Sequence, residues 1–163
     1  MNLIRFLAAA TLAACISTSA MAATDTDTFD VTLTIVDACE VTADNDMAFG
    51  TQNFLDVAID ATADFTVQCT TGTVGTISLD QGLGTGGTFT IRYMENGAEQ
   101  IEYALYTDAA RTSYWGDGTG GSNTVAHTGT GAETTLTIYG RTSIQSEPSA
   151  NTYTDTITVT VTY

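Results

Sequence analysis

The sequence contains no lysine, and its only basic side chains are Arg5, Arg92, Arg111 and Arg141. Against them stand 19 aspartates and glutamates, which give the chain a formal net charge of −15. Proteins bind nucleic acid and anionic membranes through clustered Lys and Arg side chains, so this balance argues against both partners. It is typical of a soluble extracellular protein that must not adhere nonspecifically.

The chain is also poor in residues that carry catalysis. His127 is the only histidine, and no serine or cysteine nucleophile can be matched to it by a sequence signature. The glycine-rich run 115–121 lacks the Lys-Ser/Thr pair and the helix of a phosphate loop. A calcium loop using Asp117 and Asn123 lacks the expected density of carboxylates. We therefore predict no enzyme activity, catalytic residue, metal or cofactor, and we interpret 115–121 as a surface loop with Trp115 packed beneath it.

No apolar run is long enough to span a bilayer. The first 22 residues have instead the layout of a secretory signal peptide, with Arg5, a short apolar segment over 6–15 and small residues around the end. We expect cleavage between Ala22 and Ala23. A second interpretation stays open, because Cys15 closes a Leu-Ala-Ala-Cys run that resembles a lipobox and would make it a lipidated N-terminus.

Cysteine is scarce, and removal of the signal peptide leaves one pair, Cys39 and Cys69. A secreted chain reaches an oxidising compartment, so we predict a disulfide bond between them. It would close a loop of about 31 residues and stabilise the fold by roughly 3–4 kcal/mol. Two free thiols or a metal pair are weaker interpretations, because no histidine or further cysteine stands near to complete a site.

Threonine is abundant, with 34 residues, beside 15 glycines and the single proline Pro148. Threonine is β-branched and suits the solvent face of a strand. Apolar–polar alternation between turn-forming clusters predicts strands at 28–36, 39–43, 61–69, 74–79, 88–94, 100–106, 134–140 and 153–163. This spacing predicts an all-β fold, an antiparallel sandwich with an immunoglobulin-like outline.

One predicted hairpin surrounds Asn96-Gly97. A two-residue loop there would pair Ile91 with the charged Glu102, whereas a three-residue loop over 95–97 would pair Ile91 with Ile101. Since register follows the buried face, we predict the three-residue loop, with Phe89 opposite Tyr103 and Gly97 in the left-handed position.

Two alternating segments stand near the ends of the chain. The first presents Phe29, Val31, Leu33 and Ile35, and the second presents Ile157, Val159, Val161 and Tyr163. Taken alone, the first segment is best interpreted as the opening strand of its own sandwich. An alternating strand this apolar is also a self-association hazard that monomers normally suppress.

Four stretches, in this order and spacing, resemble the spore coat protein U domain family, whose fold is that of the Csu-type (archaic) chaperone–usher pilins. They are 38–41 with Val67-Gln68-Cys69, 103–112 continuing to 115–121, Leu136-Thr137-Ile138-Tyr139-Gly140-Arg141, and 153–163. One departure is that Asn151 stands where the family usually has glycine. Asparagine tolerates left-handed φ well, so we expect the turn to be kept.

The resemblance implies an incomplete immunoglobulin-like sandwich over 38–163 that lacks its last strand, preceded by a donor-strand extension over 23–37. Phe29, Val31, Leu33 and Ile35 would fill the groove of the next subunit, and the segment from Ile157 to Tyr163 would form the edge of the chain's own groove. Pairing by strand addition gives affinity through main-chain hydrogen bonds.

The implied partners are identical or homologous pilin subunits, a periplasmic chaperone and an outer-membrane usher. The implied location is a pilus on the cell surface, reached through the periplasm, with a role in adhesion or biofilm formation. The alternative that the sequence leaves open is a secreted spore-coat or matrix protein that folds as a complete sandwich.

Overall fold

The computed structural model describes residues 21–146 and 148–163. The regular elements of that part are eight strands: β1 (Cys39–Ala43), β2 (Asp60–Cys69), β3 (Val74–Leu79), β4 (Arg92–Asn96), β5 (Glu99–Tyr106), β6 (Val125–Thr128), β7 (Glu133–Thr142) and β8 (Val159–Thr162). The described residues include no helix with the length and apolar character needed to cross a membrane. The all-β prediction is confirmed. The expected signal peptide lies outside the described residues, apart from Met21 and Ala22.

The chain divides into two units, Met1–Thr34 and Ile35–Tyr163. In the first unit, residues 21–34 are exposed and belong to no strand. The predicted strand over 28–36 is therefore not paired in this structure, and the sandwich's own first strand is β1.

The second unit consists of two antiparallel sheets. One has five strands in the order β1-β2-β7-β5-β4, and the other has three in the order β6-β3-β8. β1 and β2 pair with Cys39 opposite Cys69, and the predicted disulfide bond joins these two residues. β3 pairs with both β6 and β8, so β8 is an edge strand.

The core lies between the two sheets and follows the period-2 alternation of the strands. Along β2, buried and more exposed side chains alternate from Ala63 to Cys69, and β3 alternates in the same way up to Leu79. The buried cluster consists of Phe65, Val67, Cys69, Ile77, Leu79, Tyr103, Leu105, Trp115 and Ile138. Trp115 packs against Phe65 and donates its Nε1–H to the carbonyl of Ile77, which confirms that it lies beneath the glycine-rich loop.

The hairpin prediction is wrong. Arg92 lies opposite Tyr103 and Asn96 opposite Glu99, so the loop contains only Gly97 and Ala98. Gly97 does have the expected positive φ, 62°. The error came from taking Phe89, Ile91 and Tyr93 as the buried face.

The face that packs inward carries Arg92 and Met94 instead. Ile91 is exposed and precedes the strand. Sequence alternation also missed β6, which is short, and made the last strand too long, since only 159–162 is paired as a strand.

Candidate polymerisation site

The candidate site is the pair of open strand edges presented by β1 and β8. β1 ends the five-stranded sheet, and β8 ends the three-stranded sheet. The two strands come from different sheets and contact each other, so both open edges border the same side of the sandwich. An edge strand presents backbone N–H and C=O groups that can pair with another strand.

The C-terminal segment presents an apolar row toward the core. Ile157, Val159 and Val161 are half-buried and pack on the core cluster, while the threonines between them are exposed. Within β8, Val161 pairs with Ile77 and Val159 with Leu79. The fourth residue of the predicted groove edge, Tyr163, is 58% exposed.

β1 supplies the facing edge. Its inward side chains, Cys39 and Val41, also pack on the core cluster. The Cys39–Cys69 disulfide fixes β1 to β2 at one end, and at the other end the N–H of Asp44 donates to the carbonyl of Asp64. β1 is therefore held firmly on its β2 side.

The segment that leads into β8 is held by a polar cluster that sequence reasoning missed. Oδ1 of Asp80 accepts hydrogen bonds from the N–H groups of Thr158 and Gly82, each at 3.0 Å. Asp155 accepts from the hydroxyl of Tyr103 at 2.6 Å and from the N–H of Leu83 at 2.7 Å. These bonds tie 155–158 to the loop after β3 and so position β8 within this chain.

Arg92 stands at the centre of that cluster and is fully buried. Its guanidinium donates to the carbonyls of Asp80, Phe89 and Trp115 over 2.6–3.0 Å. Burial lowers the pKa of Arg92 by disfavouring its charged form, and nearby charges on Asp80 and Asp155 oppose this. In the sequence, Arg92 was the sign of this cluster, because it is the charged residue of its strand that packs inward. It was missed because the alternation of Phe89, Ile91 and Tyr93 predicts that these three residues form the buried face.

A second charged cluster lies on the outer face of the five-stranded sheet. Oδ1 of Asp60 contacts Nε of Arg141 at 2.7 Å and Nε of Arg111 at 3.2 Å. Both arginines thus pair with the same carboxylate. The hydrogen bond from Arg141, helped by the nearby Arg111 charge, holds the pKa of Asp60 below its usual value. The cluster joins β2, β7 and the 107–113 loop.

The predicted donor residues are exposed. Phe29 and Leu33 are each 87% exposed, and Val31 and Ile35 are also largely exposed. Ala22 and Ala23, at the expected cleavage site, are exposed as well. Four large apolar side chains at alternate positions, all outside a core, form an unusual surface for a soluble chain.

The described residues contain no group of three or more His, Cys, Asp and Glu side chains that could hold a metal ion. A cavity of about 590 Å³ lies beside Met94 and Ile101, between the loops at 47–55 and 148–153, and none of the described residues that line it is charged. Asp117 is engaged locally, since it accepts from the N–H and hydroxyl of Thr119. The interactions that the candidate site can make are therefore backbone pairing with another strand and apolar contact.

Residues 25–160 match the family model of the Spore Coat Protein U domain. The chain is 30% identical over 115 residues to Protein U of Myxococcus xanthus, a match that covers 67% of this chain and 63% of that protein. The chain belongs to the Spore Coat Protein U domain family.

Two solved structures are similar to this chain. One is the CsuC–CsuE chaperone–tip adhesion subunit pre-assembly complex from archaic chaperone–usher Csu pili of Acinetobacter baumannii, with a TM-score of 0.56 and 22% identity over 80% of this chain and 40% of that one. The other is the P pilus rod subunit PapA, with a TM-score of 0.49 and 16% identity over 77% of this chain and 98% of that one. The likeness to the Csu structure identifies the fold as immunoglobulin-like.

Proposed function

We propose that this protein is a structural subunit of an extracellular pilus, assembled by donor-strand exchange on the chaperone–usher route. One observation carries the proposal. Phe29, Val31, Leu33 and Ile35 alternate along an exposed segment that belongs to no strand, while β1 and β8 leave two open edges on one side of the sandwich. The first feature is an alternating segment that pairs with no sheet, and the second is a sandwich whose edges can accept another strand.

In the polymer, the extension over 23–37 of one subunit would pair with the edge of β8 in the next. Its four apolar side chains would lie beside the half-buried row of Ile157, Val159 and Val161, on the same inward face. Burying four large side chains is worth roughly 6–12 kcal/mol at about 1.5–3 kcal/mol each, and ordering the extension offsets part of this. Main-chain hydrogen bonds along the edge add to the affinity.

Before assembly, the same open edge and apolar row would be covered by a periplasmic chaperone, and an outer-membrane usher would be the site of exchange. The chain would reach the periplasm through the signal peptide over 1–22, cut between Ala22 and Ala23. The finished fibre would stand on the cell surface and serve adhesion or biofilm formation. Determining the N-terminal residue of the exported protein tests the cleavage site.

The proposal is tested by exporting the protein with its own chaperone and usher and running unheated against boiled samples on an SDS gel. Wild type should give a ladder that collapses on boiling, and deletion of 23–37 should abolish it. Leu33→Asp places a charge at an inward donor position and should also abolish the ladder. The matched control, Thr32→Asp, places the same charge on the outward side and should keep it.

A monomer band in every lane would contradict the proposal. The chain would then be better explained as a self-contained secreted coat or matrix protein, the alternative that membership of the Spore Coat Protein U family keeps open. A ladder that persists in Leu33→Asp would contradict the assignment of the donor strand. Polymerisation would then have to use another surface of the chain.

A further inference from the structure

Among the described residues, the strands β3, β6 and β8 present no charged side chain on the outer face of the three-stranded sheet. The outward residues of β3, β6 and β8 follow from the register, in which Thr76 lies opposite Thr162 and Ser78 opposite Thr160. They are Val74, Thr76, Ser78, Ala126, Thr128, Thr160 and Thr162. All except Ser78, which is half-buried, are exposed. The face is therefore neutral and rich in hydroxyl groups.

The outer face of the five-stranded sheet, by contrast, is strongly acidic. The registers there place six carboxylates outward against a single strand arginine, Arg141. The carboxylates belong to Glu40, Asp60, Asp64, Glu95, Glu102 and Glu133. In a chain with a net charge of −15, the two sheets thus differ sharply in the charge that they present.

We propose that the neutral face is a lateral contact surface, through which copies of this chain in neighbouring fibres associate side by side. The inference rests on the proposed function, because it needs fibres. Two subunits of like charge repel when their acidic faces approach, so the neutral face gives the approach with the least repulsion. Hydroxyl groups both donate and accept hydrogen bonds, so a threonine face is complementary to a copy of itself.

The area of the face is too small for a stable contact between two single subunits. Its three strands have six, four and four residues, and at about 3.3 Å per residue and about 4.8 Å between strands they give roughly 220 Å² per subunit. A stable pairwise interface buries about 800 Å² on each partner. Single subunits should therefore stay apart, whereas fibres that repeat the face many times should associate through summed weak contacts.

The occupant that the face favours is a second copy rather than a polysaccharide. None of its outward residues is aromatic, and aromatic rings supply most of the binding energy where a flat surface holds a ligand. A donated strand added beside β8 would extend the face by Thr32 and Thr34, and would bring Asp30 to its margin. The central strand β3 would stay free of charge.

The test compares fibres of wild type, Thr76→Glu, Thr76→Gln and Thr135→Glu. Thr76 and Thr135 are both exposed threonines on inner strands of their sheets, so Thr135→Glu adds the same charge to the acidic face. Thr76→Gln keeps the neutral face. The unheated SDS ladder measures polymerisation, and sedimentation with electron microscopy measures lateral bundling of the same purified fibres.

We expect all four proteins to give the ladder. Wild type, Thr76→Gln and Thr135→Glu should bundle, and Thr76→Glu should need at least about tenfold more fibre to do so, because the lost contact is repeated at each subunit. Wild-type fibres that never bundle, or Thr76→Glu fibres that bundle as readily as wild type, would overturn the inference while leaving the proposed function intact.

Two further results also decide against it. If Thr76→Glu abolishes retention of fibres on insoluble polysaccharide but leaves bundling unchanged, the face is a glycan site and not a contact between fibres. If wild type gives no ladder, there are no fibres, and the proposed function and this inference fail together.

Discussion

The hydroxyl of Tyr103 donates a hydrogen bond of 2.6 Å to Oδ2 of Asp155. Tyr103 belongs to β5 in the five-stranded sheet, and Asp155 lies four residues before β8 in the three-stranded sheet. The bond therefore joins the two sheets at the point where the chain turns into the open edge. Asp155 also holds the N–H of Leu83, so the lead into β8 is fixed at several places.

Replacing Tyr103 with phenylalanine should lower the free energy of unfolding by about 1.5–3 kcal/mol, because a hydrogen bond to a charged group is lost and Asp155 keeps a desolvated oxygen. Urea unfolding at pH 7 measures the change. Thr152→Ala, an exposed change in the preceding turn, serves as a control and should cost less than about 0.5 kcal/mol. Equal stability of Tyr103→Phe and wild type would mean that the bond contributes nothing.

The same tyrosine predicts a response to alkaline pH. Burial, together with the hydrogen bond to Asp155, raises the pKa of Tyr103 above its usual value. Since the neutral phenol is favoured in the fold, its contribution is complete below the unfolded pKa of about 10 and is lost as pH rises beyond it. In thermal unfolding, the Tm of wild type should fall further between pH 8 and about pH 11 than the Tm of Tyr103→Phe. An identical loss in both proteins would assign the alkaline response to other tyrosines.

Arg92 is expected to be one of the most sensitive positions in the molecule. Substitution by methionine keeps much of the side-chain volume but leaves the carbonyls of Asp80, Phe89 and Trp115 without their donors. We expect a loss of about 3–5 kcal/mol, since each buried unsatisfied acceptor costs about 1–3 kcal/mol. Chemical denaturation measures it, with the exposed neighbour Ile91→Thr as control. A loss below about 1 kcal/mol would show that water replaces the guanidinium.

Asp60 provides a pH-dependent prediction with the opposite sign. Its pKa is lowered in the fold, chiefly by the hydrogen bond from Arg141, so its contribution is present above about pH 4 and is lost as pH falls through the folded pKa. Because the side chains of Asp60 and Arg141 are about 40% exposed to solvent, Asp60→Asn should cost at most about 1 kcal/mol at pH 7. The difference from wild type should shrink toward zero near pH 2.

The control for Asp60 is Glu133→Gln, which removes a carboxylate from the same outer face about 26 Å along β7 from Arg141. It should show neither the loss at pH 7 nor the convergence at low pH. A difference between Asp60→Asn and wild type that stays constant from pH 7 to pH 2 would mean that the carboxylate's charge is not what stabilises the cluster.

The disulfide bond predicts a coupled effect on stability and assembly. The double variant Cys39→Ser, Cys69→Ser should have a free energy of unfolding about 2–4 kcal/mol lower than that of wild type. Reductant should lower the free energy of unfolding of wild type by a similar amount. Because β1 is one of the two open edges, the variant should also give a weaker unheated ladder. A variant with wild-type stability would contradict the constraint that we assign to the bond.

Much of the fold could be predicted from alternation. β1 and β3 have the predicted bounds, and β2, β5 and β7 lie within one or two residues of them, since each buries one face and exposes the other. The disulfide followed from secretion and an even count of cysteines. The hairpin at Gly97 could not be predicted correctly, because the inward face holds Arg92, and a guanidinium is favourable inside this core only because the carbonyls of Asp80, Phe89 and Trp115 accept its hydrogen bonds.

The sequence by itself determined the all-β class, the alternation of the extension and of the C-terminal segment, and the acidic charge, because these depend on residue type and local spacing. Only the tertiary structure decided which alternating segments are paired. It places β1 and β8 at the edges of different sheets, gathers Arg92, Asp80 and Asp155 around one end of the core, and sorts charge to one outer face. Such features depend on register between strands far apart in the chain, and register is set by how whole sheets pack rather than by any local pattern.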